Sequence, residues 1–314
     1  MNDFEIIDYS EKYLENIIYL FNKVYGKKLT KQYWEWRFSK NPFGKPLIKL
    51  CTKDNTVIAM YLAHPVFVNL NSKIYKMLFS MFTMTDPNYS GQGIMTKLFG
   101  QTITEAKKLE YSGIFGFANQ NSRYMFTKKL NFLEIVQMSE LSINIQDTNA
   151  FLKNDSCTQI SRFDEKFTKF FEEHKPINKY VIERTTDYLN WRFFENPEIN
   201  YTVYEIINDE EIQGYFVLKN YENKKGHIVD FILINNNSIS QMISKSIDFC
   251  KQNNLSQLTL WANPQSELYR MCQKNNFYPQ LMPTFFIVNA TTNLKPDILN
   301  YINWYITMSD SDVF

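Results

Sequence analysis

Met81-Phe82-Thr83-Met84-Thr85-Asp86-Pro87-Asn88-Tyr89-Ser90-Gly91-Gln92-Gly93-Ile94-Met95-Thr96 is the stretch that decides how this chain folds. Residues 81–85 read as the end of a strand and Pro87 interrupts it. Two glycines then lead into a helix over 94–109, which Met95, Leu98, Thr102, Ala106 and Leu109 mark by their helical spacing. Glycine takes positive φ without penalty and lets a ligand approach the backbone closely. The first N–H groups of a helix lack intrahelical partners, and the positive end of the helix dipole points the same way. Strand, glycine turn and helix together make an anion cradle that a pyrophosphate fits. A glycine pair at a helix start also serves tight packing, so the segment alone leaves both readings open.

Working outward, residues 4–7 read as a short strand. Ser10 caps a helix reaching Tyr25, with Ile17, Ile18, Phe21 and Val24 on one stripe and Gly26 as its stop. Thr30 caps a second helix that carries Trp34, Trp36 and Arg37 and ends at Asn41-Pro42, since a residue before proline avoids the α region. Strands over 47–52, 57–69 and 73–85 are joined at Asp54-Asn55 and Asn71-Ser72 as an antiparallel meander. Beyond helix 94–109 come a strand over 114–117 and a helix over 122–129, an order that implies a right-handed parallel crossover. The expected class is α/β in its α+β form: a mixed, mostly antiparallel sheet flanked by helices.

Two landmarks recur in the same order, as in a duplicated chain. Tyr33-Trp34-Glu35-Trp36-Arg37-Phe38-Ser39-Lys40-Asn41-Pro42 aligns without a gap with Tyr188-Leu189-Asn190-Trp191-Arg192-Phe193-Phe194-Glu195-Asn196-Pro197. Ala118-Asn119-Gln120-Asn121-Ser122 then matches Ala262-Asn263-Pro264-Gln265-Ser266, each followed by Asn-Phe at 131–132 and 276–277. Two domains are expected, 1–148 and 155–314, with the seam in the polar stretch 146–156. A chain of 314 residues is long enough for two cores.

The balance of 34 Lys+Arg against 33 Asp+Glu gives a net charge of +1, which recommends neither nucleic acid nor a membrane as partner. Cys51, Cys157, Cys250 and Cys272 are scattered without a C-x-x-C pair, and His64, His174 and His227 lack ligand spacing, so no metal is expected. Without an apolar leader or an 18-residue apolar run, the chain reads as cytoplasmic and reduced.

The order of elements resembles the GNAT superfamily of N-acetyltransferases, whose cofactor motif R/Q-x-x-G-x-G/A lies between the fourth strand and the third helix. The resemblance covers about 58–132 well and runs from Thr85 and Pro87 through Ser90-Gly91-Gln92-Gly93-Ile94-Met95 to Asn119 or Asn121 and Leu130-Asn131-Phe132. It implies acetyl-CoA as cosubstrate, held by Met84, Thr85, Ser90, Gly91, Gln92, Gly93, Ile94, Met95, Thr96 and Asn119. The implied acceptor is the primary amine of a small molecule, with an amino sugar in view by analogy. Ser90 stands in place of the motif's Arg or Gln and Met95 in place of its last small residue, which weakens the side-chain part of phosphate binding. Thr127 stands where many members carry the tyrosine that protonates the leaving thiolate.

An ammonium must lose its proton before it attacks a thioester, so a base or a pKa-lowering site is required. Strand 73–85 carries no carboxylate; Asp86 and Glu35 are the nearest acids, and both read more readily as surface or structural residues. Backbone N–H groups near Met84 are the implied oxyanion site. Tyr124 lies one turn before Thr127 and is the candidate catalytic acid, though it serves equally well to pack on Phe126 and Phe117.

The second copy has Ile234-Asn235-Asn236-Asn237 between its strand over 226–233 and its helix over 238–251. With no glycine there, it is not expected to bind CoA in the same way. Its Trp191 and Arg192 read as packing. Near the chain end, 303–312 read as a solvated tail, or else as one that offers Asp310 or Asp312 to a cationic amine. Two further readings compete: a Fem-type transferase taking an aminoacyl group from tRNA, against which the glycine loop stands, and a non-catalytic CoA- or sugar-binding pseudoenzyme.

Overall fold

The computed structural model describes residues 4–148, 156–221, 224–289, 296–312 and 314. Of the seam expected over 146–156, residues 149–155 lie outside the described residues. The first series of elements is β1 (Glu5–Asp8), α1 (Leu14–Tyr25), α2 (Lys31–Trp34), β2 (Leu47–Lys53), β3 (Thr56–Leu70), β4 (Lys73–Thr85), α3 (Ile94–Lys108), β5 (Gly113–Asn119), α4 (Gln120–Lys129) and β6 (Leu133–Asn144). The second is β7 (Cys157–Ile160), α5 (Lys166–His174), β8 (Val181–Ile182), α6 (Thr186–Phe193), β9 (Tyr201–Asn208), β10 (Glu211–Tyr221), β11 (Lys225–Leu233), α7 (Asn236–Gln252), β12 (Gln257–Leu260), α8 (Glu267–Lys274) and β13 (Tyr278–Asn289). Apart from the two-residue β8, the second series repeats the first element for element.

Local chemistry explains the shared landmarks. Thr30 accepts the Tyr33 amide at 3.0 Å and Thr185 accepts that of Tyr188 at 3.3 Å, so each Trp-Arg helix starts on a threonine cap. The first of these does not stay α-helical to Asn41, as expected, but passes into a π turn over Glu35–Ser39. Asn131 and Asn276 take φ of 56° and 66°, the left-handed position that ends a helix and that asparagine tolerates. The following phenylalanine amides close the caps, Phe132 N–H on Phe126 O and Phe277 N–H on Cys272 O, both at 3.0 Å.

The described residues gather into two compact units. The first comprises Met1–Val68, Lys73–Val136 and Thr284–Leu299; the second comprises Asn69–Ser72, Gln137–Pro283 and Asn300–Phe314. Within the first, the sheet runs β1, β2, β3, β4, β5 and then the 284–289 part of β13. β1 and β2 pair antiparallel, as do β2 and β3, whereas β4 and β5 pair parallel from Met77↔Gly113 to Ser80↔Gly116. β5 takes its other partner antiparallel, from Ile114↔Asn289 to Asn119↔Thr284. The core under α3 and α4 collects Tyr61, Leu78, Leu98, Phe99, Phe126 and Phe132 with Phe285 and Ile287.

In the second unit the sheet runs from the C-terminal part of β6 through β12, β11, β10 and β9 to β7. β6 pairs antiparallel with β12, from Leu141↔Leu260 to Asn144↔Gln257, and β12 pairs parallel with β11. Each unit's sheet is thus completed by a strand from the other half of the sequence.

Candidate functional site

In the first unit, parallel pairing places the C-terminal ends of β4 and β5 on one edge of the sheet, and with them the starts of α3 and α4. A crevice outside the carboxyl ends of parallel strands is where open α/β sheets take ligands. The strands approach closely at their last registered pair, where a Cβ on Gly116 would meet Ser80 O at 3.1 Å. β4 continues five residues beyond that pair, and Phe82 there carries φ of 51°. A bulky aromatic at positive φ is an outlier that marks a bulge. Nothing in the sequence announced it, because glycine and asparagine are the usual occupants of that region.

Beyond β4, the chain turns through Asp86. Its carboxylate accepts the Asn88 amide at 3.0 Å and meets Lys23 Nζ at 2.7 Å. Burial alone would raise this carboxyl; the Lys23 ammonium and the Asn88 amide outweigh burial and hold it below the usual carboxylate range. Asp86 is a loop brace, and Glu35 is half-exposed with Lys31 at 4.0 Å, so both fit the structural reading.

Gly91 and Gly93 then take φ of 79° and 73°. No protein atom lies within 4 Å of a Cβ built on either glycine, so the space above them is open. Tight protein packing, the competing explanation, does not account for these glycines. Gly93 is the N-cap of α3 and provides no side-chain cap. Ser90, Gly91, Gln92, Gly93 and Thr96 are exposed, whereas Ile94 and Met95 are buried in the core beneath α3. Ser90, at the motif's first position in the register read above, is exposed and adds no charged side chain to the loop, while Met95, at its last position, is buried in the core beneath α3. Met84 is buried and Thr85 half-buried, which leaves the backbone of Met84 as its contribution.

The second unit presents the contrast. Between β11 and α7, Asn235 lies at φ −155° and its side chain accepts the Ser238 amide at 2.9 Å, while Ser238 Oγ accepts the Asn235 amide at 3.2 Å. This capping box satisfies the Ser238 amide of α7 from within, where α3 has no side-chain cap.

At the end of β5, Asn119 caps α4, accepting the amides of Asn121 at 3.0 Å and Ser122 at 2.9 Å. Tyr124, on the first turns of α4, is 64% exposed, which removes the reading that packs it on Phe126 and Phe117. Thr127 Oγ1 donates to Arg123 O at 2.9 Å, a bond within its own helix. Arg123 holds Glu134 through Nε at 2.5 Å and Nη2 at 2.8 Å, and lies 4.1 Å from the Phe285 ring centroid.

Sequence reasoning missed the polar contacts of the Trp-Arg clusters. Buried Arg37 reaches within 3.4 Å of His64 Nε2, and Asn41 Nδ2 lies 2.9 Å from His64 Nδ1. In the second unit Arg192 donates to Tyr201 Oη at 2.9 Å and to the carbonyls of Ser309 and Phe314. Neither is a bare packing residue.

The chain's last stretch is not a solvated tail. Asp310 is buried and its carboxylate meets Arg184 Nη2 at 2.7 Å; Asp230 meets the same nitrogen at 3.0 Å. Thr307 Oγ1 donates to Asp230 at 2.8 Å, and Tyr215 Oη at 3.0 Å. Burial raises the Asp310 carboxyl; Arg184 opposes this and Asp230 adds to it, and the outcome is above the usual range. Asp312 alone of the two acids is exposed. No group of three His, Cys, Asp or Glu that could hold a metal is found among the described residues. No described helix is long and apolar enough to cross a membrane.

Residues 5–133 match the family model described as acetyltransferase (GNAT) domain. Residues 5–133 form a GNAT acetyltransferase domain. The GNAT domain spans the cradle, β5 and α4, so the loop described above lies inside the matched segment, and the chemistry of the family is acyl transfer. No curated protein matches the sequence significantly. Among solved structures, a probable N-acyltransferase of unknown function from Enterococcus faecalis superposes with a TM-score of 0.75 at 12% identity, covering 93% of this chain and 73% of that one. A GCN5-related N-acetyltransferase from Anabaena variabilis gives 0.70 at 11%, covering 92% and 73%. Saccharomyces cerevisiae N-myristoyltransferase, solved with bound myristoyl-CoA, gives 0.63 at 12%, covering 92% and 79%. At these identities the likeness is one of fold.

Proposed function

We propose that the protein is an N-acetyltransferase that moves an acetyl group from acetyl-CoA to the primary amine of a small molecule, and that it binds the cofactor only on the GNAT domain. One contrast carries the reading: α3 starts on two left-handed glycines under open space with no side-chain cap, whereas α7 starts without glycine on a capping box of Asn235 and Ser238. The pyrophosphate of CoA would lie on the amides of residues 91–96 and the thioester carbonyl against the Met84 backbone. The neutral amine attacks the carbonyl carbon, the C–N bond forms, the nitrogen gives up a proton to solvent, the C–S bond breaks and the thiolate takes a proton. Exposed Tyr124 is the proposed donor of that proton. The division into tandem copies, 1–148 and 155–314, belongs to the same proposal and is supported by the repeated order of elements.

Calorimetry with acetyl-CoA, followed by thiol release against a panel of amines, tests the reading. One site per chain and amine-dependent release are expected. Two equivalent sites per chain would refute the assignment to the GNAT domain, and binding without release under any amine would favour the pseudoenzyme.

A further inference from the structure

From the face of β4 opposite α3, we infer that the acceptor is a primary amine carried on an aromatic or similarly flat apolar body, held against the rings of Tyr25, Tyr33 and Phe82. The inference rests on the function proposed above and names the substrate class of that same site.

Phe82 stands on the bulge of β4, two residues before Met84, and is half-buried. Its ring lies 4.8 Å from that of Phe21, 5.5 Å from Phe38 and 6.4 Å from Tyr33, the last pair stacked at 20°. Tyr25 packs on Phe21 at 4.7 Å and donates its hydroxyl to Thr83 O at 3.0 Å, just past the bulge, while remaining 38% exposed. Phe21 and Phe38 are buried beneath, so they act as the floor that fixes the three outer rings. A phenylalanine at φ +51° costs free energy, and such strain persists where the surroundings over-determine it. Here three aromatic neighbours, Phe21 on α1, Tyr33 on α2 and Phe38 on the π turn, hold it, and what they hold is a ring presented beside the strand end where the thioester would lie.

The nearby acids already have cationic neighbours: Asp86 meets Lys23 at 2.7 Å, and exposed Glu35 lies 4.0 Å from Lys31. An ammonium entering here meets ring faces, which attract cations through their quadrupole, and the rest of the acceptor meets apolar surface. A polyhydroxylated amino sugar buries less apolar surface against these rings than an aromatic amine does, and the Tyr25 hydroxyl donates to Thr83 O.

The test compares 2-phenylethylamine with glucosamine in the full-length protein, after calorimetry has established acetyl-CoA binding. Thiol release with a kcat/KM for 2-phenylethylamine at least tenfold above that for glucosamine is expected. Tyr33→Leu should raise KM for 2-phenylethylamine about tenfold while leaving the acetyl-CoA Kd unchanged. Binding of 2-phenylethylamine, read as quenching of Trp36 fluorescence against a Trp36→Phe control, supplies a readout independent of turnover. Preferred turnover of glucosamine, or neither quenching nor turnover with 2-phenylethylamine, overturns the assignment while the functional reading stands. Failure of acetyl-CoA to bind at all brings down both.

Discussion

Replacing Gly93 by valine separates the cost of the backbone from the cost of the lost ligand site. Gly93 sits at φ 73°, ψ 9°, and the space a side chain would enter is empty of protein. The fold therefore pays only the left-handed strain of a β-branched residue, about 1–3 kcal/mol. For a chain of this size that lowers Tm by roughly 2–10 °C. The ligand loses more. The valine methyls occupy the approach to the helix amides, and losing two hydrogen bonds to a charged phosphate, each worth about 1.5–3 kcal/mol, weakens binding by at least roughly 100-fold. Gly26 supplies the control, because it caps α1 at φ 63° and also has no atom within 4 Å of a built Cβ. Gly26→Val should show a similar thermal shift with an unaltered dissociation constant. Calorimetry with acetyl-CoA on both variants, each first melted by circular dichroism, checks the pair. Equal weakening in both, or none in Gly93→Val, would refute the cradle.

Arg184→Met leaves Asp230 and Asp310 buried together without their cation, and should destabilise the protein by about 3–5 kcal/mol in urea unfolding; a loss under about 1 kcal/mol would show the network to be dispensable. Lys219 is buried on β10, and burial, with Arg192 nearby, brings its ammonium down to about 8. Because its folded pKa lies below the unfolded value, the unfolded chain binds more protons between about 8 and 10.5, so wild type gains stability as pH rises through that window, by up to about 3 kcal/mol. Lys219→Met should lack this gain and be the more stable protein at pH 7, and matching pH profiles of wild type and variant would sink the argument. A fragment ending at residue 148 lacks Thr284–Asn289, so the β5 edge from Ile114 to Asn119 loses its partner and the core loses Phe285 and Ile287. It should aggregate or melt well below the full chain in circular dichroism; a monomeric fragment with the full chain's Tm would show that the added strand contributes little.

Much of the fold was legible because it is written in local chemistry. Turns at Asp54-Asn55 and Asn71-Ser72 separated β2, β3 and β4, Thr30 and Gly26 marked helix ends, and the glycine pair marked the start of α3. What escaped the reading is non-local. β6 and β13 were not read from the sequence, and a strand's partner is chosen by edges far away in sequence, so nothing local told that the 284–289 part of β13 completes the sheet of the first unit. Arg184 meets Asp230 and Asp310 across 46 and 126 positions, and so one end of a buried ion network passed for a solvated tail. The near-zero net charge hid it as well, since buried pairs cancel in the sum. Phe82 shows the same limit at the site itself. Its φ is imposed by rings contributed from α1 and the 31–39 turn, against its own preference, and only their assembly in space exposes the aromatic face on which the acceptor class turns. The cradle was readable because its requirement, freedom at positive φ, is carried by one residue type; the acceptor face was not, because its requirement is an arrangement of common residues.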